Sequence, residues 1–480
     1  MAKKKVTKKA KKKVTKKAKP KQGEVAFSFH FQPKTKASTS SSRKMLEKAG
    51  FSITAETSSG SLVVSGTKSQ IENLMPHGVK EKMVERKINH ARGYTLRRSY
   101  LTLASDEAPP SDSTGNGTFI FPVPFNYHQQ PPSAYPPRVD YYHLHPSRDL
   151  PDLFGVRSLH AQGIRGDGIR VVMIDSGFYR HPYYEDPGSH GGIVPQITTD
   201  GVLPATQGGQ PEVDDIGHGT AIAANTIALA PECDFHHIKD DNDPVAAFAM
   251  ARNLDPQIIT CSWGWEESLV YDELTNNPNG GNALYFKSLR AEIQAAIAAG
   301  ITVLVAAGNG NSSGSWPSSE PGVICVGGAL VDENLELLTS DYATSFVSAV
   351  NAGRTCPDVC GIVGPAPSGL LFALPTQPNN TYDQSFSGFD GTQSGDGWMI
   401  ASGTSSATPQ LAAIAALLME IHGTLTPNEV LEMFRDMAVG VHQGNSATGQ
   451  AANRNRPNGA TGHGWVTFRR PHSLHRYSFF

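Results

Sequence analysis

From about residue 150 onward the sequence predicts an α/β fold, a mainly parallel sheet with helices on both faces. A small α+β domain is expected ahead of it. Two observations carry this. Short β-branched runs alternate with helical stretches through the larger part of the chain. Nearer the N-terminus, strand and helix patterns follow in the order β-α-β-β-α-β. With 480 residues, the chain is long enough for several domains.

The small domain is expected over residues 23–103. Val25, Phe27, Phe29 and Phe31 alternate with polar or small residues, the period of a half-buried strand. Ser41 to Ala49 reads as a helix stopped by Gly50. Phe51 to Ala55 and Leu62 to Ser65 read as strands joined through Ser58-Ser59-Gly60, which is hairpin chemistry. Thr67 and Gln70 form a capping box ahead of a helix that Pro76 ends. Lys82 to Ile88 would be the last strand, and the order is ferredoxin-like. Residues 104–149, rich in Pro, Ser and Tyr, read as a linker long enough to hold a processing site.

The larger domain is expected over residues 150–480. Ile169 to Ile174, Phe235 to Lys239, Gln257 to Cys261 and Ile301 to Ala306 are its strand runs. Ala246 to Arg252 and Glu292 to Ala299 are helical. Leu411-Ala-Ala-Ile-Ala-Ala-Leu-Leu418 is apolar all round, as in a buried helix. Thr426-Pro-Asn-Glu429 is a second capping box, with Pro at the first helical position, and starts a helix to about Met437.

The formal net charge of −2 hides an asymmetry: residues 1–22 hold twelve lysines and no acid. Ala2 to Lys9 recurs as Ala10 to Lys17. Such a block repels itself, has little apolar surface to bury, and is expected to be disordered. It reads either as a polyanion-binding tail, resembling the lysine-alanine tails of histone H1-like proteins, or as a solvated tail; charge alone does not choose. No run reaches the roughly 18 apolar residues of a membrane span. No apolar secretory core is visible at the N-terminus. The five cysteines are too few and too scattered for a disulfide framework, and neither their spacing nor that of the histidines suggests a metal site. Cys356-Pro-Asp-Val-Cys360 could form a local bridge, though both are read as structural. A cytoplasmic location is therefore expected, with export by a non-standard route left open.

Three motifs carry chemistry. The strand from Ile169 ends in Asp175-Ser176-Gly177. Asp214-Asp215-Ile216-Gly217-His218-Gly219-Thr220 opens a small-residue helix from Ala221 to Leu229. Gly403-Thr404-Ser405-Ser406-Ala407-Thr408-Pro409 opens the buried helix. Taken singly, each has an ordinary reading: an aspartate in a turn, a histidine or a serine capping a helix. Taken in order, Asp, His and Ser can form a charge-relay set in which imidazole activates a hydroxyl. Asp214 and Asp215, close to the histidine on a turn, read as solvated or helix-entry charges.

These motifs resemble those of the subtilisin-like serine peptidases, whose triad follows the same chain order. Ile301 to Ala307 followed by Gly308-Asn309 resembles that family's strand ending in the oxyanion asparagine. Ile258 to Gly264 resembles the strand and turn that line the substrate cleft, and Val323 to Gly327 the next core strand. Gly462-His-Gly464-Trp-Val466 resembles the closing Gly-x-Gly-x-Val, so the likeness runs from about Phe154 to about Val466. It implies a subtilisin-like fold and an endopeptidase acting on proteins or peptides through Asp175, His218 and Ser405, with Asn309 in the oxyanion hole. Ser262, Trp263 and Gly264 would bind substrate. Residues 23–103 would be a propeptide that aids folding, blocks the cleft and is cut off.

The chain departs from the family in several ways. Thr226 to Pro231 runs straight into the next strand, without the oxygen-rich calcium insertion many relatives carry, so no metal or cofactor is expected. Gly310 to Trp316, at the floor of the first pocket, is short and holds no acid, so a strict basic preference there is not expected. Asp240, Asp241 and Asp243 fall where outer non-prime pockets would lie and would favour basic residues upstream. Two rival readings remain. One is a nucleic-acid-associated protein acting through its tail. The other is a sedolisin-type acid peptidase, loosely suggested by Arg354 to Val359, against which His218-Gly219-Thr220 argues.

Overall fold

The computed structural model describes residues 26–35, 38–74, 79–88, 94–103, 117–120, 142–203 and 210–469. The lysine-rich tail and most of the expected linker lie outside the described residues.

The N-terminal domain follows the expected order through its first five elements. These are β1 (Ala26–Pro33), α1 (Thr39–Lys48), β2 (Ser52–Glu56), β3 (Leu62–Thr67) and α2 (Lys68–Leu74). The capping box forms: Thr67 N donates to Gln70 Oε1 at 2.8 Å and Gln70 N to Thr67 Oγ1 at 3.3 Å. The last strand differs. β4 (Val79–Ile88) leaves the sheet and pairs with β5 (Tyr94–Leu103) in a separate hairpin. Its place beside β1 goes to β6 (Gly117–Ile120), four residues inside the expected linker. The sheet order is β2-β3-β1-β6, fully antiparallel. The alternating phenylalanines explain one face: Phe27, Phe29 and Phe31 bury with Leu46, Phe51, Leu62, Val64 and Ile71. Ala55 and Val63 instead join the core of the large domain.

The large domain begins with α3 (Pro146–Leu153) and α4 (Arg157–Ala161). The parallel core follows as β7 (Arg170–Asp175), α5 (Pro182–Glu185), β8 (Ile197–Gly201), α6 (His218–Leu229), β9 (Asp234–Lys239), α7 (Pro244–Asn253) and β10 (Ile258–Cys261). Next come β11 (Trp265–Glu266), α8 (Glu267–Asn276), α9 (Gly281–Ala298), β12 (Thr302–Ala306), β13 (Ser315–Trp316) and β14 (Ile324–Val331). Strands β8, β9, β7, β10, β12 and β14 lie side by side in that order, all parallel. Their near-continuous Val, Ile and Leu runs suit a sheet covered on both faces. Beyond them, Val359–Ile362 pairs parallel with β14, Trp465–Val466 pairs parallel with Val359–Ile362, and Ala438–Val439 lies at the edge, antiparallel to Trp465–Val466.

Two helices pack through the middle. One is α6; the other, Thr404–His422, is buried at nearly every position from Thr404 to Met419. Small residues are required there: a Cβ at Gly361 would lie 2.8 Å from the Ala407 backbone. Gln410 joins the layers, accepting from Ile362 N at 2.8 Å and donating to Asn225 Oδ1 at 3.0 Å. The Thr426 capping box forms as expected and starts the helix Pro427–Met437. All five cysteines are buried free thiols. Burial raises the thiol pKa of Cys233 to about 12. Among the described residues, no helix is long and apolar enough to cross a membrane.

Candidate active site

In a parallel sheet the carboxyl ends of neighbouring strands share one edge, where open α/β folds place their clefts. Here β7, β10 and β12 are adjacent, and at or shortly beyond their ends lie Asp175–Ser176, Ser262 and Asn309. The N-terminus of the 404–422 helix comes to the same edge, because Ser262 Oγ donates to Ser405 O at 3.0 Å. The helix α6 brings His218 there at its first turn.

Asp175 is fully buried, and its Oδ1 lies 2.7 Å from His218 Nδ1. The same oxygen accepts Ser176 N at 2.7 Å. Burial disfavours a charged His218 ring, but the Asp175 carboxylate, helped by Asp214 and Asp240, outweighs it and raises the imidazole pKa above 6.5. The Tyr382 ring meets the imidazole edge-to-face at 6.0 Å. Ser405 is half-buried, and its hydroxyl donates to Ser262 O at 3.2 Å. Passing that proton to His218 requires the hydroxyl to turn away from Ser262. The Ser405 N–H sits in the first helical turn, where N–H groups have no intrahelical acceptor and the helix end favours negative charge.

Asn309 is buried beside this turn. Its Oδ1 accepts Thr404 N at 2.9 Å and Thr404 Oγ1 at 3.2 Å, which fixes which side of the amide carries the NH2 group. A Cβ at position 403 would lie 2.8 Å from Asn309 Nδ2, so glycine is what allows this approach.

Of the two readings of Asp214, a solvated charge or a helix-entry charge, the second holds: the side chain is fully buried at the start of α6. Its Oδ1 accepts Ser176 Oγ at 2.7 Å and Gly217 N at 2.8 Å, and its Oδ2 accepts Thr220 N at 2.8 Å and Thr220 Oγ1 at 2.7 Å. Only Asp215 is exposed. The four-residue spacing to His218 was the available signal, and two adjacent acids obscured it. The Trp263 side chain is buried, and Nε1 donates to Ile174 O at 2.7 Å. The Trp263 side chain thus belongs to the core, and from that residue only backbone remains for a substrate. Gly264 lies where any side chain would strike Ser315 and Trp316. Thr404 and Ser176, which hold Asn309 and Gly219 N, were also not anticipated.

The acidic loop is likewise drawn inward. Asp241 accepts Leu203 N at 3.1 Å, while Asp240 and Asp243 are buried. Among the described residues, no three His, Cys, Asp or Glu side chains converge as a metal site.

Comparison with known proteins places the chain among proteases of known sequence and fold. The chain is 27% identical over 299 residues to serine protease AprX of Bacillus subtilis, covering 58% of this chain and 62% of that protein. It is 26% identical over 299 residues to a subtilisin of Bacillus pumilus, covering 58% of this chain and 87% of that one. The chain thus spans a little under two thirds of the length of AprX and, at 64%, of the thermostable alkaline protease of Halalkalibacterium halodurans. Among solved structures, the epidermin leader peptide processing serine protease of Staphylococcus aureus shares the fold. Its TM-score is 0.52 at 14% identity, covering 95% of this chain and 100% of that one. The family model described as the Subtilase family matches residues 166–464, well over half of the sequence, and the chain belongs to that family.

Proposed function

We propose that this chain is a serine endopeptidase that hydrolyses protein substrates through an acyl-enzyme. The observation that carries the reading is the 2.7 Å contact between His218 Nδ1 and Asp175 Oδ1, at the edge where the Ser405 helix begins. Asp175 holds the imidazole in the tautomer whose Nε2 can take a proton, and stabilises the imidazolium that forms. Ser405 loses its proton to His218 and attacks the scissile carbonyl. The oxyanion that develops is received by Asn309 Nδ2 and Ser405 N–H, a positioned pair that needs no reorganisation during the step. His218 then gives its proton to the leaving amine, and water releases the acyl group by the reverse sequence. The backbone of Ser262, Trp263 and Gly264 would align an extended substrate strand beside the serine.

The N-terminal domain is read here as an inhibitor in cis that makes the chain a zymogen. Its sheet lies against the helices α7 and α9 of the catalytic body, and β5 runs beside the helix Thr381–Phe386 that carries Tyr382. Expressing wild type beside Ser405→Ala tests both parts. Casein should be cleaved only by the wild type, and only the wild type should lose mass through self-processing. Full casein cleavage by Ser405→Ala would reject the nucleophile. An active wild type of unchanged mass would reject the self-processing zymogen alone.

A further inference from the structure

The strand β1 has two faces, and only one is apolar. Phe29 and Phe31 point into the small domain, so the period of two sends His30 to the other side. That side faces the catalytic body, and His30 is only 1% exposed. Its Nε2 lies 2.7 Å from Asp243 Oδ1 and 3.0 Å from Oδ2. Asp243 is the N-cap of α7, accepting Ala246 N at 3.2 Å, and also takes the Tyr285 hydroxyl at 3.2 Å. The Tyr285 ring stands edge-on to the His30 ring at 5.9 Å. Burial and the neighbouring Asp243 carboxylate raise the tyrosine pKa, which keeps it a donor. A second contact has the same polarity. Ser58 N and Ser58 Oγ both donate to Glu292 Oε1 at 2.7 Å, and Oε2 of that buried carboxylate takes Arg252.

Both of these contacts between the two domains end on a buried carboxylate of the catalytic body. We propose that Asp243 and Glu292 form a two-point docking surface for the N-terminal domain, with His30 the anchor that makes the docking selective. The domain then remains bound after the connecting chain is cut. An apolar sheet face alone would slide on a pair of helices. Two buried acceptors 49 residues apart, each met by a donor from a different element, fix one register. This deepens the inhibitor reading and rests on it only for its biological purpose.

The test uses the full chain carrying Ser405→Ala and a specific protease site inserted after Gln130. After cutting, the two fragments should co-elute on gel filtration. His30→Ala should weaken the complex by about 30-fold or more, the lower bound for truncating one partner of a buried charged hydrogen bond, and Asp243→Asn, which removes the charge but keeps an acceptor, should weaken it measurably. His30→Gln, which keeps a donor, should recover part of it. Lys44→Ala, exposed on α1, should not change it. Asp243→Asn reads the contact from the catalytic side, so a misfolded small domain cannot mimic its effect. Unchanged affinity in both His30→Ala and Asp243→Asn would overturn the proposal. If the fragments stay bound but the cut, active enzyme is not inhibited, the inhibitor reading fails and the docking surface stands.

Discussion

The Ser176 hydroxyl donates to the Asp214 carboxylate at 2.7 Å and joins the end of the Asp175 strand to the start of the His218 helix. Ser176 Oγ also receives Gly219 N at 3.0 Å. Asp214 thus ties together the two elements that carry the acid–imidazole pair. Asp214→Ala leaves the buried Gly217 and Thr220 N–H groups without their acceptor, at about 1–3 kcal/mol each. The melting temperature should drop. Turnover should fall on the order of 10²-fold, because small misplacements of catalytic groups cost that much. An unchanged melting curve with unchanged kcat would show that the tie positions nothing.

Asn309→Ala should lower kcat by about 10²–10³-fold, the magnitude known from subtilisin itself for losing an oxyanion donor. KM should move little, since the contact forms with the transition state. Steady-state kinetics on a peptide anilide separate the two. Equal activity would remove Asn309 from the mechanism.

The raised pKa of His218 sets a sign for the pH profile. A raised value keeps the ring protonated, and so inactive as a base, to higher pH. The acid limb of kcat/KM should therefore have its midpoint above 6.5, the ordinary imidazole value. An activity maximum near pH 4 would contradict this and return attention to a carboxylate base.

His237 should make the fold acid-sensitive. It is fully buried on β9, neither ring nitrogen has a protein hydrogen-bond partner, and burial lowers its pKa to about 4. In the unfolded chain it would titrate near 6.5, so the unfolded state binds the extra proton first. Stability is then lost as pH falls from about 6.5 toward 4, by up to about 3 kcal/mol from this one group. His237→Val should flatten that part of the Tm-versus-pH curve and raise Tm near neutrality. A variant curve parallel to wild type would refute the assignment.

Much of the candidate site was legible because each proposed catalytic group sits on a short motif tied to an element end. Asp175 ends a β-branched run, while His218 and Ser405 begin helices of small residues. Their arrival at one edge of the sheet follows from strand adjacency, which the repeated α/β alternation implies. What was not legible depended on partners distant in sequence. Asp214 looks like any acid on a turn until Ser176 and Thr220 are placed around it. Trp263 sits in a motif that faces the cleft, yet its indole finds a hydrogen bond at Ile174 O in the core. The strand Gly117–Ile120 is only four residues long, too short to show a period; its pairing with β1 is a tertiary fact.

That short strand bears on where a maturation cut could fall. Severing the backbone before Gly117 would strand one rung of the small sheet on the mature enzyme, and departure of the remainder would require unzipping β1 from it. Severing it beyond Ile120 would let all four rungs leave as a unit. The location of the new N-terminus thus decides whether shedding is a simple dissociation or one coupled to breaking a ladder.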